Sequence, residues 1–411
     1  MVATIEEGTY NLAWHKAIFR NIKGIPQAFT WSALFSGMLI VFISTTGPIA
    51  ILFQAANAGQ LSDQYTASWL FAVFIGSGVF GLLLSLRYRM PIIGSWASTV
   101  TALLVTGLVD HPLPEVVAAY FLASIILLFI GMTGIFSRIM SIIPHAVIMA
   151  MLAGVLFSFG LRIFTSSKAE PLIGFGMILI YFLGRRLKWR APVFGSLFVG
   201  VIVAILQSKL TVPRFEFQLV EPVWINPVFS PDLIFTLVIP IVLMVMTTQN
   251  ATGISLIQSA GYKVPINNIV TLGGFLSILG AGFGGAGVNV SAMTAIIALG
   301  PEADPNPQTR YFAGISTALT YIFAGLFAGI FLSLYASFPP ALTTVLAGLA
   351  LLPVISASIA EAVLEPEYRD AAIVTFLISV SGISGWGVGA PFWGLLGGFL
   401  VHHFISFKKR A

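Results

Sequence analysis

Charge is the scarcest feature of this chain. Asp, Glu, Lys and Arg make up only 9% of its 411 residues, against 57% from the apolar and aromatic set. A soluble protein carries about a quarter of its residues charged, so a set of water-facing domains is excluded. With a mean hydropathy of +0.97, the chain reads as an all-α polytopic membrane protein. Cysteine is absent altogether, which removes a disulfide framework, a thiolate nucleophile and any Cys-based metal site. Glycine and proline are plentiful, at 40 and 22 residues, and favour a helical bundle with close packing and broken helices.

Scarce charges act as punctuation. Uncharged windows run over 24–62, 64–86, 90–109, 116–137, 139–161, 171–184, 191–208, 233–262, 264–301, 311–360 and 371–407. A spanning helix needs about 20 apolar residues, and the last three windows are long enough for two spans each, with breaks near Gly282–Gly287, Phe338–Pro340 and Ser381–Gly389. Fourteen transmembrane segments result. With both termini in the cytoplasm, 16 of the 20 Lys and Arg residues fall inside, and only Arg162, Lys168, Lys209 and Arg214 fall outside. That is the positive-inside bias. Residues 1–23 hold no apolar stretch followed by a small-residue cleavage site and do not read as a signal peptide. Trp14, Lys16, Ile18 and Arg20 suit either a short interfacial helix or a disordered tail.

The chain also repeats itself. Thr45-Thr46 and Thr247-Thr248 lie 202 positions apart, as do Ala58-Gly59 and Ala260-Gly261. At an offset of 193, Ser98, Thr101, Ala102, Gly107, Pro112 and Pro114 meet Ser291, Thr294, Ala295, Gly300, Pro305 and Pro307. At 194, Leu152-Ala153-Gly154 meets Leu346-Ala347-Gly348. The unit holds seven spans, and an odd number makes the second copy enter the membrane from the opposite side. Such 7+7 inverted repeats are characteristic of secondary transporters, whose substrate site lies at the repeat interface near mid-membrane.

Segments 3 and 10 do not read as plain helices. Pro91 and Gly94 precede Ser98 and a good apolar helix from Thr101, while Gly282, Gly284, Gly285 and Gly287 precede Asn289, Ser291 and Thr294. Each predicts a short extended stretch before a half-helix that starts mid-membrane, with Ser98 and Ser291 as caps. The alternative is that the glycines only permit close helix packing. Half-helix N-termini offer bare N–H groups to a carboxylate or an acceptor-rich ring. Each contributes only about 0.3–1 kcal/mol, at best ~2, whereas desolvating a carboxylate costs several kcal/mol. Direct donors must supply the rest. Segment 8 carries Thr247-Thr248-Gln249-Asn250, and two amides inside a span are costly unless partnered. They serve either as substrate ligands or as interhelical glue. Segment 1 has Thr45-Thr46-Gly47-Pro48 at the same place, which predicts a kink.

These residues resemble the benzoate:proton symporter (BenE-type) family from about residue 28 to 405. The likeness is carried by Arg89 and Pro91 with Trp96, Ala102, Leu103 and Leu104; by Thr248-Gln249-Asn250 with Gly253; by Ile143-Pro144-His145 with Met151-Leu152-Ala153-Gly154; and by the turn Gly300-Pro301-Glu302-Ala303-Asp304-Pro305. The chain departs from the family pattern at Ala97-Ser98-Thr99-Val100, where S-T-P-G is expected, and at Asp304, where a His is expected. The resemblance implies a uracil-permease-like fold, related to nucleobase permeases. A core (transport) domain takes 28–140 and 232–336, and a gate domain takes 141–231 and 337–407. The chain ends 1–27 and 408–411 are cytoplasmic. It further implies a homodimer in the bacterial inner membrane, with proton-coupled uptake of an aromatic carboxylate and no cofactor or metal. The implied substrate ligands are Thr46, Trp96, Ser98, Thr99, Thr248, Gln249, Asn250, Gly287, Asn289 and Ser291. Phe53 and Phe283 are further candidates for an apolar pocket wall.

No ionisable residue falls in the centre of segments 1, 3, 8 or 10. The proton therefore travels either on the substrate carboxylate or through a peripheral group such as Glu302, Asp304 or His145. An anion exchanger, a channel or a nucleobase carrier on the same fold are the rival functions. An intramembrane protease rests only on Gly382-Ile383-Ser384-Gly385 with His402 and His403, a four-residue pattern that recurs by chance among 40 glycines. No metalloprotease, P-loop or dinucleotide motif is present, so the chain is expected not to be an enzyme.

Overall fold

The few charged and polar residues that interrupt the apolar sequence are where helices begin and end. Ser62 accepts the Tyr65 N–H at 3.4 Å and Asp63 occupies the first turn, opening a helix over Asp63–Tyr88. Its far end is Arg89, in the left-handed conformation at φ 51°, after which Met90 and Pro91 begin the extended stretch. The same punctuation recurs along the chain in the computed structural model, which describes residues 13–46, 48–136, 138, 144–189, 192–210, 218–285, 287–291, 294–301, 303–383 and 390–409.

In chain order the helices are α1 (Trp14–Lys23), α2 (Ile25–Ala28), α3 (Trp31–Thr46), α4 (Pro48–Ala58) and α5 (Asp63–Tyr88). Strand β1 (Gly94–Trp96) leads into α6 (Ser98–Asp110), followed by α7 (Leu113–Thr133), α8 (His145–Ala169), α9 (Pro171–Arg186) and α10 (Pro192–Leu206). The span Ile234–Ser259 is a composite. It starts as a π-helix, continues as α11 (Ile239–Met244), widens again into a π-helix over Val245–Ala251, and closes as α12 (Thr252–Ser259). Then come α13 (Ile266–Ala281), strand β2 (Val288–Val290), α14 (Ala295–Leu299), α15 (Tyr311–Leu326), α16 (Gly329–Ala336), α17 (Pro340–Ala362), α18 (Arg369–Ser381) and α19 (Ala390–Lys409).

Among the described residues, six helices are long and apolar enough to cross a membrane, and α15 with α16, bent by 69°, makes a seventh candidate. The apolar helices Ser98–Asp110, Pro192–Leu206 and Ile266–Ala281 are shorter. Fourteen is therefore the count from charge punctuation, and six or seven the count from helix length and composition. Large apolar side chains such as Phe35, Phe129, Met132, Phe164, Phe175 and Phe198 stand exposed on the outside, as lipid-facing surfaces require. At the start of the described chain, α1 settles the choice between helix and tail. Ala17 and Asn21 are buried, and the Asn21 amide donates to the Leu86 carbonyl at 2.7 Å.

The helices pack in two groups. In one, α5 lies against α15 and β1, α7 against α13, α3 against α15, and α4 against α6. In the other, α8 packs on α17, α18 and α19, and α9 on α10 and α17. Between the two groups α17 touches α4, α6 touches α8, and α10 touches α3. The two strands meet inside the first group as an antiparallel pair with Gly94 opposite Val290, Ser95 opposite Asn289 and Trp96 opposite Val288. Gly94 is needed there, because a Cβ would run into the Ser77 carbonyl of α5.

Candidate functional site

Both interrupted segments begin extended, and their backbones satisfy one another. Besides the ladder, the Ser291 N–H donates to the Ile93 carbonyl at 2.9 Å. A buried strand pair in place of two helices solves the problem of pairing backbone groups where water is absent. Past the strands the two copies differ. Helix α6 starts at Ser98 and runs for 13 residues, whereas α14 starts at Ala295 and runs for only five. Ahead of it, the Ser291 hydroxyl bonds the Thr294 hydroxyl at 2.7 Å and accepts the Thr294 N–H at 3.3 Å. One sequence expectation is narrowed here and one corrected. The half-helix of segment 10 is described from Ala295 and is five residues long, ending at Gly300 before Pro301, with residues 292 and 293 ahead of it outside the described residues. And Ser98 is not the cap of α6: Ala97 holds that position, and no side chain caps the helix.

A cavity of about 480 Å³ opens where β1, α6, the π-helical turn and the start of α4 converge. Thr46, Trp96, Ser98, Gln249 and Ser291 line it, joined by Ser44, Ser95 and Thr294. The opposite wall comes from the second helix group and is apolar, with Pro192, Val193 and Phe194 of α10 and Ala350, Leu351 and Pro353 of α17. Among the described residues that line it there is no Asp, Glu, His, Lys or Arg. The remaining candidates stand behind the wall. Thr99 and Thr248 bring their hydroxyls within 3.3 Å of each other. The Asn289 amide donates to the Gly287 carbonyl at 2.6 Å. The Asn250 Oδ1 accepts the Val290 N–H at 3.4 Å, tying the composite span to β2.

Gln249 and Asn250, adjacent in sequence, thus do different things. Asn250 is committed to β2, while the Gln249 amide makes no hydrogen bond to a described residue and borders the cavity. The π-helical turn sets this division. Its wider winding, marked by the Thr252 hydroxyl reaching back five residues to the Thr247 carbonyl at 3.2 Å, leaves the local register unlike that of a plain helix, and such turns often sit at functional positions. Apolar periodicity gives no signal for it. Trp96 is 2% exposed, packs edge-on to Tyr321 with centroids 6.0 Å apart, and has no partner for its indole N–H among the described residues. Phe53 and Phe283 do not line the cavity: Phe53 stacks on Tyr335 at 3.8 Å and Phe283 packs edge-on against Trp224.

The peripheral ionisable groups lie elsewhere. Asp304 is buried, with Oδ1 accepting the Asn306 N–H at 2.8 Å and Oδ2 accepting the Thr30 hydroxyl at 3.4 Å. Nearby Arg310 donates to the Asp304 and Leu299 carbonyls, and burial pushes the Tyr262 hydroxyl up to about 12 despite that guanidinium. His145 is half-exposed and pairs with Glu361 at 2.8 Å. Glu302 lies outside the described residues, as do Ser384 and Gly385 of the protease-like motif.

A short antiparallel strand pair inside an apolar helical bundle, beside a cavity whose described lining is uncharged, fits a class, that of membrane transporters. The same fold is found in the solved structures of SLC26A9 (TM-score 0.61, 15% identity, 98% of this chain and 70% of that one) and of the transmembrane domain of the cyanobacterial bicarbonate transporter BicA (TM-score 0.59, 18% identity, 93% and 98%). Residues 27–404 match the family model described as "Benzoate membrane transport protein", and the chain belongs to that family. It is 36% identical over 390 residues to the benzoate membrane transport protein of Acinetobacter baylyi, covering 95% of this chain and 99% of that one. It is 34% identical over 380 residues to inner membrane protein YdcO of Escherichia coli, covering 92% and 97%. The chain is a transporter and not an enzyme.

Proposed function

We propose that this transporter imports a small aromatic carboxylate, benzoate-like, together with a proton. The observation that carries the reading is the two-sided cavity: polar groups on one wall, among them the Gln249 amide, which has no hydrogen-bond partner among the described residues, and an apolar wall of Phe194, Leu351 and two prolines opposite. Its size falls in the ordinary range for small-ligand sites. A single aromatic ring fits the apolar wall, and its carboxylate is met by the Gln249 amide, the Ser98 hydroxyl and the bare N–H groups that open α6. One helix N-terminus contributes at most ~2 kcal/mol, so the direct donors carry most of the cost of desolvating the anion. Trp96 and Thr46 border the ring. Thr99, Thr248, Asn250, Gly287, Asn289 and Ser291 complete the site by holding β1, β2 and the π-helical turn in register.

Alternating access follows from the packing in two groups. The core (28–140 and 232–336) moves against the gate (141–231 and 337–407) and exposes the cavity to either face in turn. Seven spans repeated in inverted topology give this arrangement. The hydrogen bonds support it: Thr45 and Thr46 donate to Val41 and Phe42, and 202 positions later Thr247 and Thr248 donate to Leu243 and Met244. The positive-inside bias places both termini in the cytoplasm of a bacterial inner-membrane protein, and the chain works as a homodimer. Proton symport completes the reading, with the proton carried on the substrate carboxylate or by Glu302, Asp304 or His145, of which Asp304 is buried. Uptake of labelled benzoate into proteoliposomes under an imposed pH gradient is the test. Saturable accumulation that collapses with the gradient, and that unlabelled benzoate but not uracil competes away, is the expected result. Equal uptake with and without the gradient removes symport, and competition by uracil alone removes the carboxylate.

A further inference from the structure

The strongest unassigned cluster of ionisable groups lies at the end of α6 remote from the cavity. His111 follows the last residue of α6 and is buried, with its side chain 8% exposed. Its Nδ1 lies 2.9 Å from Glu115 in the first turn of α7 and 3.8 Å from Asp232, two residues before the composite span begins. Asp110, the other acidic neighbour, is exposed. No lysine or arginine among the described residues forms an ion pair with Glu115 or Asp232. Two carboxylates thus converge on one imidazole with no fixed positive charge to balance them.

The repeat gives this position a counterpart. The offset of 193 that relates Pro112 to Pro305 and Pro114 to Pro307 sets His111 against Asp304. Both are buried, and each lies at the end of the interrupted segment that leads away from the cavity. In an inverted repeat these two ends lie at opposite membrane faces.

We infer that His111, held by Glu115 and Asp232, is the proton-binding site on the outer face of this transporter and the counterpart of Asp304 on the inner face. The inference rests on the symport reading above. A proton taken from the outer solution converts the imidazole to imidazolium, which balances the facing carboxylates and clamps together the ends of α6, α7 and the composite span. Its release leaves two carboxylates around a neutral ring and loosens that junction. Two of the clamped elements also supply cavity wall, through Ser98 and Gln249, so proton occupancy and substrate binding share the same moving parts. Imidazole ordinarily changes charge between about pH 5 and 8, which suits a group that samples the external solution.

The test titrates external pH at fixed internal pH in proteoliposomes and measures benzoate uptake by the wild-type protein and by His111→Gln. Hydrogen exchange of the stretch 228–236 is followed over the same pH range without substrate. Wild-type uptake is expected to fall by about tenfold per pH unit above the imidazole range, with faster exchange of 228–236. His111→Gln is expected to lose both responses. If the proton travels on the substrate instead, the two proteins share one pH profile, and the inference falls while symport stands. If the wild type takes up no benzoate, the symport reading falls. Exchange then decides the clamp: a pH response absent from His111→Gln sustains it, and an identical response overturns it. Should His111→Gln fail to reach the membrane, Asp232→Asn serves. Removing one carboxylate weakens the hold on the imidazolium, so the pH limb must move to lower pH, and an unmoved limb overturns the inference.

Discussion

The composite span and the first span are built alike and end up doing different work. Each carries two adjacent threonines whose hydroxyls donate to carbonyls four residues back: Thr45 and Thr46 to Val41 and Phe42, Thr247 and Thr248 to Leu243 and Met244. Side chains that bond backwards in this way bend a helix slightly. The next two positions diverge. In the first span they are Gly47, which lies outside the described residues, and Pro48, the first residue of α4. In the composite span they are Gln249 and Asn250, and the helix continues by widening into a π-turn. Pro48 brings no N–H donor to its span, whereas the π-turn keeps every residue helical while changing which way its side chains face. One copy contributes shape, and the other contributes amides.

That contrast can be broken most severely at the strand pair on which the composite span leans. Gly94→Ala drives a methyl group into the Ser77 carbonyl of α5, a backbone atom that cannot step aside. Overpacking of this kind costs about 1–3 kcal/mol or more. The expected result is a large loss of folded protein in the membrane, read by fluorescence-detected size exclusion. Normal yield and normal uptake would show that β1 does not need its close approach to α5.

Next in size is the separation of Gln249 from Asn250. Gln249→Ala removes an unpartnered amide at the cavity, so thermal stability in detergent is expected to hold while uptake efficiency drops by about 10- to 100-fold, the worth of a hydrogen bond to a charged group. Asn250→Ala strands the buried Val290 N–H, and an orphaned donor costs about 1–3 kcal/mol. Its melting temperature should therefore fall along with uptake. Identical behaviour of the two variants would erase the distinction drawn between them.

The parts of this architecture that were legible in the sequence are those where the chain departs from its own apolar background. Gln249, Asn250, Ser98 and Asn289 stand out because polar groups in a span must be partnered or used, and the two extended stretches, though not their pairing, were legible through Pro91, Gly94 and the glycines at 282–287. Phe194, Leu351 and Pro353 were not, because an apolar residue in an apolar chain carries no contrast and only tertiary packing brings it to the cavity. The π-turn left no trace because hydrophobic periodicity blurs when a span is buried on most sides. The shortness of α14 was missed for a related reason: Ser291 and Thr294 match Ser98 and Thr101 in type, but their hydroxyls bond each other. His111 carries no such contrast, because it stands in a short connection among Asp110, Pro112 and Glu115. Its partners Glu115 and Asp232 are 4 and 121 positions away, and only folding joins them.

The smallest effects belong to the threonine pairs themselves, and they sharpen the comparison because the chemistry removed is the same in both copies. Valine matches threonine in shape and lacks the hydroxyl, so Thr46→Val and Thr248→Val each delete one backward hydrogen bond, worth about 0.5–1.5 kcal/mol. Thr46 borders the cavity, and among the described residues its hydroxyl bonds the Phe42 carbonyl. Its loss should raise the benzoate concentration for half-maximal uptake by less than about tenfold and leave the melting temperature within a few degrees. Thr248 lies behind the wall and meets the Thr99 hydroxyl at 3.3 Å, so its loss should lower the melting temperature and leave half-saturation unchanged. The reverse pattern would mean that the first span, not the composite one, supplies the chemistry at this site.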